Sequence, residues 1–290
     1  MKKILITGSN GFLGQHLALF LQGNGYEVVG VGKGNNRQPD TAMVYRSVDL
    51  TNEHHVEELL KETKPDVVVH TAAMSKPDEC NNDRKLCYDI NVGATQNLLR
   101  YSGSSFIYLS TDFVFGEGGP HAETDAFGPL NYYGESKLMA EELTRKSGLP
   151  YAIVRPVFIY GKVWPGLRPS FLQWVANCLQ QDKNIKVVSD QVRTPTYVTD
   201  ICSGIKAIIN QNETGDFHLA GNDLLSPYEM AIITARVLGL DESLIENVTS
   251  ETFPEPVARA KRSGLKIDKA QKVLNYHPVS FAEGVRLSFN

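Results

Sequence analysis

Lys3-Ile4-Leu5-Ile6-Thr7 runs directly into Gly8-Ser9-Asn10-Gly11-Phe12-Leu13-Gly14, and this junction restricts the fold more than any other stretch of the chain. A short continuous apolar run fits a strand buried on both faces of a parallel sheet. Three glycines at G-x-x-G-x-x-G spacing then open a segment of helical pattern. Residues without Cβ let backbone N–H groups approach a phosphate, and the helix N-terminus adds partial positive charge. The third glycine permits close packing of helix on strand. The spacing departs from the commoner G-x-G-x-x-G, so the context of strand before and helix after carries the inference of a dinucleotide site. Gly8, Ser9, Asn10, Gly11, Phe12 and Leu13 are its first candidates.

The same alternation continues through the first two-thirds of the chain. Segments 3–7, 27–31, 44–48, 66–70, 105–109 and 152–155 predict strands, and 12–22, 53–63, 85–102 and 135–146 predict helices. Strand–helix alternation with short connections implies right-handed crossovers and an α/β fold, a Rossmann-type doubly wound parallel sheet. After Gly161 the pattern changes, with Pro165, Pro169 and Pro195 interrupting it. Helices are expected at 170–180, 199–210, 227–239 and 268–274, with one strand at 216–219. The expected division is a dinucleotide-binding domain over 1–161 and a smaller, mostly helical substrate lobe over 162–290, with a return to the sheet around 198–220.

Composition narrows the function classes. A formal net charge of −4 over 290 residues argues against nucleic acid as a partner, because phosphate binding needs a basic face. The four cysteines form no C-x-x-C pair and lie near no histidine cluster, so no metal site is expected and reduced thiols are. The apolar run before Thr7-Gly8 is too short for the core of a secretion signal, and no stretch approaches a membrane span. These features predict a cytoplasmic protein without a membrane partner.

The stretch after the second strand reads Gly30-Val31-Gly32-Lys33-Gly34-Asn35-Asn36-Arg37. An NAD site usually places a carboxylate here for the ribose 2′-hydroxyl. This stretch has no acid and two cations, Lys33 and Arg37, which would attract a 2′-phosphate. NADP(H) is therefore expected over NAD(H).

Further on, Tyr133-x-x-x-Lys137 follows a Ser110-Thr111-Asp112 strand end. On a helix beginning near Gly134, the i, i+4 spacing puts tyrosine and lysine on one face. Carbonyl reduction needs a proton donor at the oxygen as hydride reaches the carbon. A free tyrosine is weakly acidic, and a nearby ammonium would lower its pKa by stabilising the phenolate. Thr111, at a strand end on the ligand-binding edge, would be a further donor to that oxygen.

With these residues in order, the chain resembles the extended short-chain dehydrogenases/reductases along nearly its whole length. The resemblance assigns Asp49-Leu50 to the adenine side and Thr71-Ala72-Ala73, after His70, to the cofactor lining. It also assigns Asn91 to active-site support, and Arg155-Pro156, in Arg155-Pro156-Val157-Phe158-Ile159-Tyr160-Gly161, to the path past the nicotinamide. Within that superfamily the chain resembles the dTDP-4-dehydrorhamnose reductases. The carrying stretches are Ser110-Thr111-Asp112-Phe113-Val114-Phe115, Tyr133-Gly134-Glu135-Ser136-Lys137-Leu138 and Arg193-Thr194-Pro195-Thr196-Tyr197-Val198-Thr199-Asp200. That resemblance implies reduction of a keto group on a nucleotide-linked sugar, with Thr111, Tyr133 and Lys137 catalytic. It also allows Mg2+ and implies a homodimer built on the helices near 85–101 and 135–146.

Candidate substrate contacts are Asp112, Phe113, Trp164, Arg168, Arg193 and Thr196, since arginines could neutralise a diphosphate and an aromatic could stack on a base. Two departures stand out: Phe12-Leu13 replaces the family's usual glutamine after the second glycine, and the C-terminal R-P-x-x-S-x-L pattern is matched only in part, at Lys261-Arg262-Ser263-Gly264-Leu265. The alternatives are an epimerase or dehydratase of the same superfamily, or a non-catalytic cofactor-binding regulatory subunit.

Overall fold

The computed structural model describes residues 1–38, 43–253 and 256–290. Among them, seven parallel strands form the central sheet: β1 (Lys3–Thr7), β2 (Glu27–Gly32), β3 (Val44–Ser47), β4 (Val67–His70), β5 (Ser105–Leu109), β6 (Tyr151–Arg155) and, much later, β10 (Gly215–His218). Their order is β3-β2-β1-β4-β5-β6-β10, so the winding direction reverses between β1 and β4. Ligands of open α/β sheets lie at such a switch point, outside the carboxyl ends of the strands.

The strand sequences account for the two-sided core. Ile4, Ile6, Val67 and Val69 point to one face and pack with α1 (Phe12–Gly23), α8 (Val198–Gln211) and α10 (Asp268–Leu274). Leu5 and Val68 point to the other face, with α2 (Glu53–Thr63), α5 (Ala94–Tyr101) and α6 (Tyr132–Lys146). Successive strand residues face opposite ways, so an unbroken apolar run suits both faces.

The expected helix over 85–102 differs in detail. The chain first makes α3 (Pro77–Asn82), then α4 (Arg84–Tyr88), then a π-helical turn Asp89–Gly93 that leads into α5. Asn91 sits in that turn and is held by the Met74 backbone on both its polar atoms, a tie that propensity along the helix does not encode.

Past β6 the chain contains more strand than expected. It holds β7 (Ile159–Tyr160) paired with β9 (Thr196–Tyr197), and β8 (Ile185–Val188) paired with β11 (Ile245–Val248), along with α7 (Phe171–Leu179), α9 (Pro227–Leu238) and α11 (Phe281–Phe289). Two-residue strands give no periodicity to read. The return to the sheet runs through α8, which packs beside α1, and β10, which pairs in parallel with β6 from Gly215↔Ala152 to His218↔Arg155. Residues of the second half thus close the edge of the first half's sheet.

Candidate active site

The glycine turn has the geometry its sequence implies. Gly8 adopts φ +68°, and a Cβ there would lie 2.6 Å from the Ala72 nitrogen. A Cβ on Gly14 would lie on the Gly8 carbonyl. The Gly11 N–H donates to that carbonyl at 2.8 Å. Gly11 caps α1 without any side-chain hydrogen bond, and the first turn of α1 has no acid, so its N-terminal N–H groups are left for an anion.

Two cavities flank this turn and share Gly8, Gly11, Thr71 and Ala73. One, of about 370 Å³, is lined by Asn10, Gly32, Lys33, Asp49, Leu50 and Ala72. The other, also about 370 Å³, is lined by Phe12, Leu13, Thr111, Asp112, Phe113, Tyr133, Lys137, Pro156 and Phe158. A cradle of Cβ-free backbone between two cavities fits a dinucleotide with its pyrophosphate at the turn.

Asn10 organises the first cavity's rim. Its amide donates to the Asn35 carbonyl and to the Tyr45 hydroxyl, each at 2.9 Å, and its oxygen accepts from the Arg37 N–H at 2.9 Å. Lys33 pairs with Asp49 at 2.8 Å, and that contact, with help from Thr51, holds the Asp49 carboxyl down at about 2. Arg37 is exposed and does not line the cavity. A carboxylate is therefore present here after all, contributed by the chain after β3 instead of β2.

The second cavity carries the candidate reactive groups. Thr111 follows β5, accepts a hydrogen bond from the Phe113 N–H at 3.3 Å and donates to the Asp112 carboxylate at 3.2 Å. Helix α6 starts at Tyr132, earlier than expected, because the Asn131 side chain caps it by accepting from the Gly134 N–H at 3.0 Å. Gly134 has no room for a Cβ, which would strike the Phe113 carbonyl, so the helix start presses onto the Thr111 turn. That contact brings Tyr133 beside Thr111 and edge-on to the Phe113 ring, at 5.5 Å between centroids. Ser136 donates to the Tyr133 carbonyl at 2.7 Å and accepts from Asn91 at 2.9 Å, which fixes the helix from behind.

The electrostatics correct one expectation. Burial pushes the Tyr133 hydroxyl well above its usual range, and the Thr111 hydroxyl works against that shift. Burial also brings Lys137 itself down to about 7, with Glu141 opposing. Its Nζ donates to the Leu109 carbonyl at 2.6 Å and lies 4.2 Å from the Tyr108 ring centre. A buried ammonium loses more hydration than these partners return.

Several candidates lie elsewhere. Arg155 does not reach the cleft: it is fully buried and forms a fork-to-fork pair with Glu141, at 2.7 Å for both bonds, and a further bond to Asp216 at 2.7 Å. Ser9 and Asn91 are buried behind the cavity walls. Thr196 is buried and bonds the Val157 carbonyl at 2.7 Å. Trp164 lies against His16 of α1, 4.0 Å between ring centres, and Arg168 is exposed on the same loop. Neither lines a cavity beside Thr111.

A small third cavity abuts the catalytic one, shares Asp112 and Phe113 with it, and includes Asn131, Arg193, Arg259 and Ser263. Ser263 donates to the Asp112 carboxylate at 2.9 Å. Arg259 was outside the sequence expectation, yet a signal for it exists. In the pattern R-P-x-x-S-x-L, placing serine at Ser263 puts the arginine at Arg259, with Ala260 in the proline position. Among the described residues, no group of three or more His, Cys, Asp or Glu side chains is placed to hold a metal ion. No helix there is long and apolar enough to cross a membrane.

Comparison with known proteins follows the same lines. Residues 1–290 match the family model described as RmlD substrate binding domain. The chain is 28% identical over 291 residues to a spore coat polysaccharide biosynthesis protein of Bacillus subtilis (strain 168), covering 99% of this chain and 96% of that one. It is 31% identical over 271 residues to the methionine adenosyltransferase 2 subunit beta of Rattus norvegicus, covering 90% of this chain and 78% of that one. Its structure is similar, with TM-score 0.87 and 27% identity, to a dTDP-4-dehydrorhamnose reductase of Bacillus anthracis str. Ames in complex with NADP, covering 99% and 98% of the two chains.

Proposed function

The chain belongs to the RmlD substrate binding domain family, and from that premise we propose that it is an NADPH-dependent reductase of a keto group on a nucleotide-linked sugar, like the dTDP-4-dehydrorhamnose reductases. The observation that carries this reading is the convergence of Thr111, Tyr133 and Lys137 on one cavity that opens onto the glycine turn. The substrate carbonyl lies between the Thr111 and Tyr133 hydroxyls. A reduced nicotinamide held at the glycine turn would supply the hydride for the carbonyl carbon. Tyr133, kept protonated by burial, gives its proton to the developing alkoxide, so the product is a secondary alcohol. Lys137, on the same helix face, stabilises the resulting phenolate when protonated. Phe12, Leu13 and Phe158 make this end of the cleft apolar, which keeps competing water from the reacting atoms.

NADP(H) is favoured over NAD(H) because β2 ends without an acid and Lys33 stands at the adenosine cavity with its side chain 81% exposed. Its ion pair with Asp49 is weak at that exposure, so a 2′-phosphate can compete for it. The reading also makes the protein a cytoplasmic enzyme that works without nucleic acid, and as a homodimer.

The test is NADPH oxidation against a panel of nucleotide 4-ketosugars. Turnover is expected with at least one, with kcat/KM higher for NADPH than NADH, and Lys33→Glu should reverse that order. Tyr133→Phe should lower kcat by about 10²- to 10⁴-fold with NADPH affinity unchanged. A wild-type chain that binds NADPH and turns over nothing in the panel, while Tyr133→Phe keeps full biological activity, would establish the regulatory-subunit reading instead. Purification with tightly held cofactor that is recycled would indicate an epimerase or dehydratase.

A further inference from the structure

We infer that Tyr108 is a positioning residue for the reduction: its ring face, lying behind the Lys137 ammonium, holds that charge at the catalytic cavity for the Tyr133 phenolate. The inference rests on the reductase reading above. Tyr108 belongs to β5 and points to the face of the sheet that packs against α5 and α6. Leu109, next along the strand, points to the other face. Lys137 of α6 meets both residues. Its Nζ donates to the Leu109 carbonyl at 2.6 Å and lies 4.2 Å from the centre of the Tyr108 ring. A ring face attracts a cation out to about 6 Å, so this contact is a close one. Lys137 and Leu109 line the catalytic cavity, and Tyr108 does not. The ring therefore backs the ammonium and leaves its cavity side for cofactor and substrate.

The surroundings leave this task to the ring. Lys137 is 2% exposed, so water does little for its charge. Glu141, one turn further along α6, acts on it but is already shared between Arg155 and Arg145. Cys80 of α3 and Cys87 of α4 also act on it, and these two thiols bond each other. That bond lowers the Cys87 thiol to about 7, the same range as Lys137. His70 of β4 is kept neutral by burial, and Tyr133, on the helix of Lys137, is kept protonated by burial. Burial likewise pushes the Tyr108 hydroxyl well above its usual range, so its ring stays a neutral phenol. An electron-rich ring attracts an ammonium without carrying a charge of its own. It therefore holds Lys137 whichever way the neighbouring thiols titrate.

The measurement follows the Lys137 Cε resonance by NMR as pH is raised, in the full chain carrying isotope-labelled lysine, with Lys137→Met identifying the resonance. Tyr108→Phe keeps the ring face and sets the reference. Mono-, di- and trifluorophenylalanine at the same position have nearly the volume of phenylalanine but a progressively less negative face. The Lys137 titration should fall stepwise along that series, by about 0.5–1.5 pH units in all, the size of a desolvated contact between cation and ring. The alkaline limb of kcat/KM for NADPH oxidation should move down with it, because the lysine must be protonated to steady the phenolate. A Lys137 titration that stays constant across the series overturns the inference, as does one that falls while the kcat/KM limb stays in place. The series is repeated on Cys87→Ser, and a fall that vanishes there belongs to the thiol and overturns the inference too. If no nucleotide ketosugar is turned over, the reductase reading fails, and a falling titration then leaves Tyr108 with a hold on Lys137 but no part in reduction. Turnover with a flat titration fails the role of Tyr108 alone.

Discussion

At the scale of single residues, the candidate catalytic set is held by local rules while its electrostatics come from burial. Thr111, Tyr133 and Lys137 were legible because a strand end and an i, i+4 spacing are short-range facts. The depression of Lys137 to about 7 was not, since it depends on the walls that other elements build around Nζ. This shift has a sign that can be checked. The unfolded lysine titrates near ~10.4, so between about pH 7 and that value the unfolded chain binds more protons than the folded one. The contribution of Lys137 to stability therefore rises with pH across that window, by up to about 1.4 kcal/mol per pH unit. Thermal melts of wild type and Lys137→Met from pH 6 to pH 10 should show the variant's relative advantage shrinking as pH rises. A difference independent of pH would mean that Lys137 keeps an ordinary ammonium pKa in the fold.

At the scale of elements, the glycine turn and the start of α6 are two places at the site where backbone meets backbone. Gly14→Ala puts its Cβ on the Gly8 carbonyl, a collision that no side-chain rotation relieves. The expected cost is about 1–3 kcal/mol of stability together with loss of NADPH binding. Gly103→Ala, where a Cβ would meet nothing within 4 Å, should leave both unchanged. Tm and cofactor fluorescence titration report the two effects, and equal behaviour of the two variants would contradict the turn geometry. Most elements were readable from periodicity. The π-helical turn at Asp89–Gly93 was not, because it is stabilised by Asn91 reaching Met74 across space. The short strands of the second lobe escaped for the complementary reason: each pairs with a partner far along the chain, as β8 does with β11.

At the scale of the whole molecule, a buried ionic cluster joins three parts of the chain. Glu141 comes from α6, Arg155 from β6 and Asp216 from β10, with Arg145 bonding both acids. Glu141 sits one turn beyond Lys137 on the catalytic helix, so this cluster ties that helix to the sheet edge supplied by the second half. Removing one member leaves a buried charge without its partner. Arg155→Met should cost about 3–5 kcal/mol, whereas exchanging Glu141 and Arg155 together for apolar residues of similar volume should recover much of it. Chemical denaturation of the single and double variants checks this. A single variant near wild-type stability would show that the cluster contributes little. The sequence placed Arg155 beside the cofactor, since its stretch resembles the segment that passes the nicotinamide. Folding turns its side chain inward toward Glu141 and Asp216 instead, and the neighbouring Pro156, Phe158 and Ile159 line the cleft.

Spacing along short stretches of the sequence was enough to read the strand–helix alternation of the doubly wound sheet, the glycine turn, and Thr111, Tyr133 and Lys137 as candidates. Tertiary structure alone decided that Arg155 is a buried anchor, that Asp49 meets Lys33, and that Arg259 joins Arg193 beside Asp112. Those outcomes depend on which separate elements pack together, and no local period encodes a partner on another element.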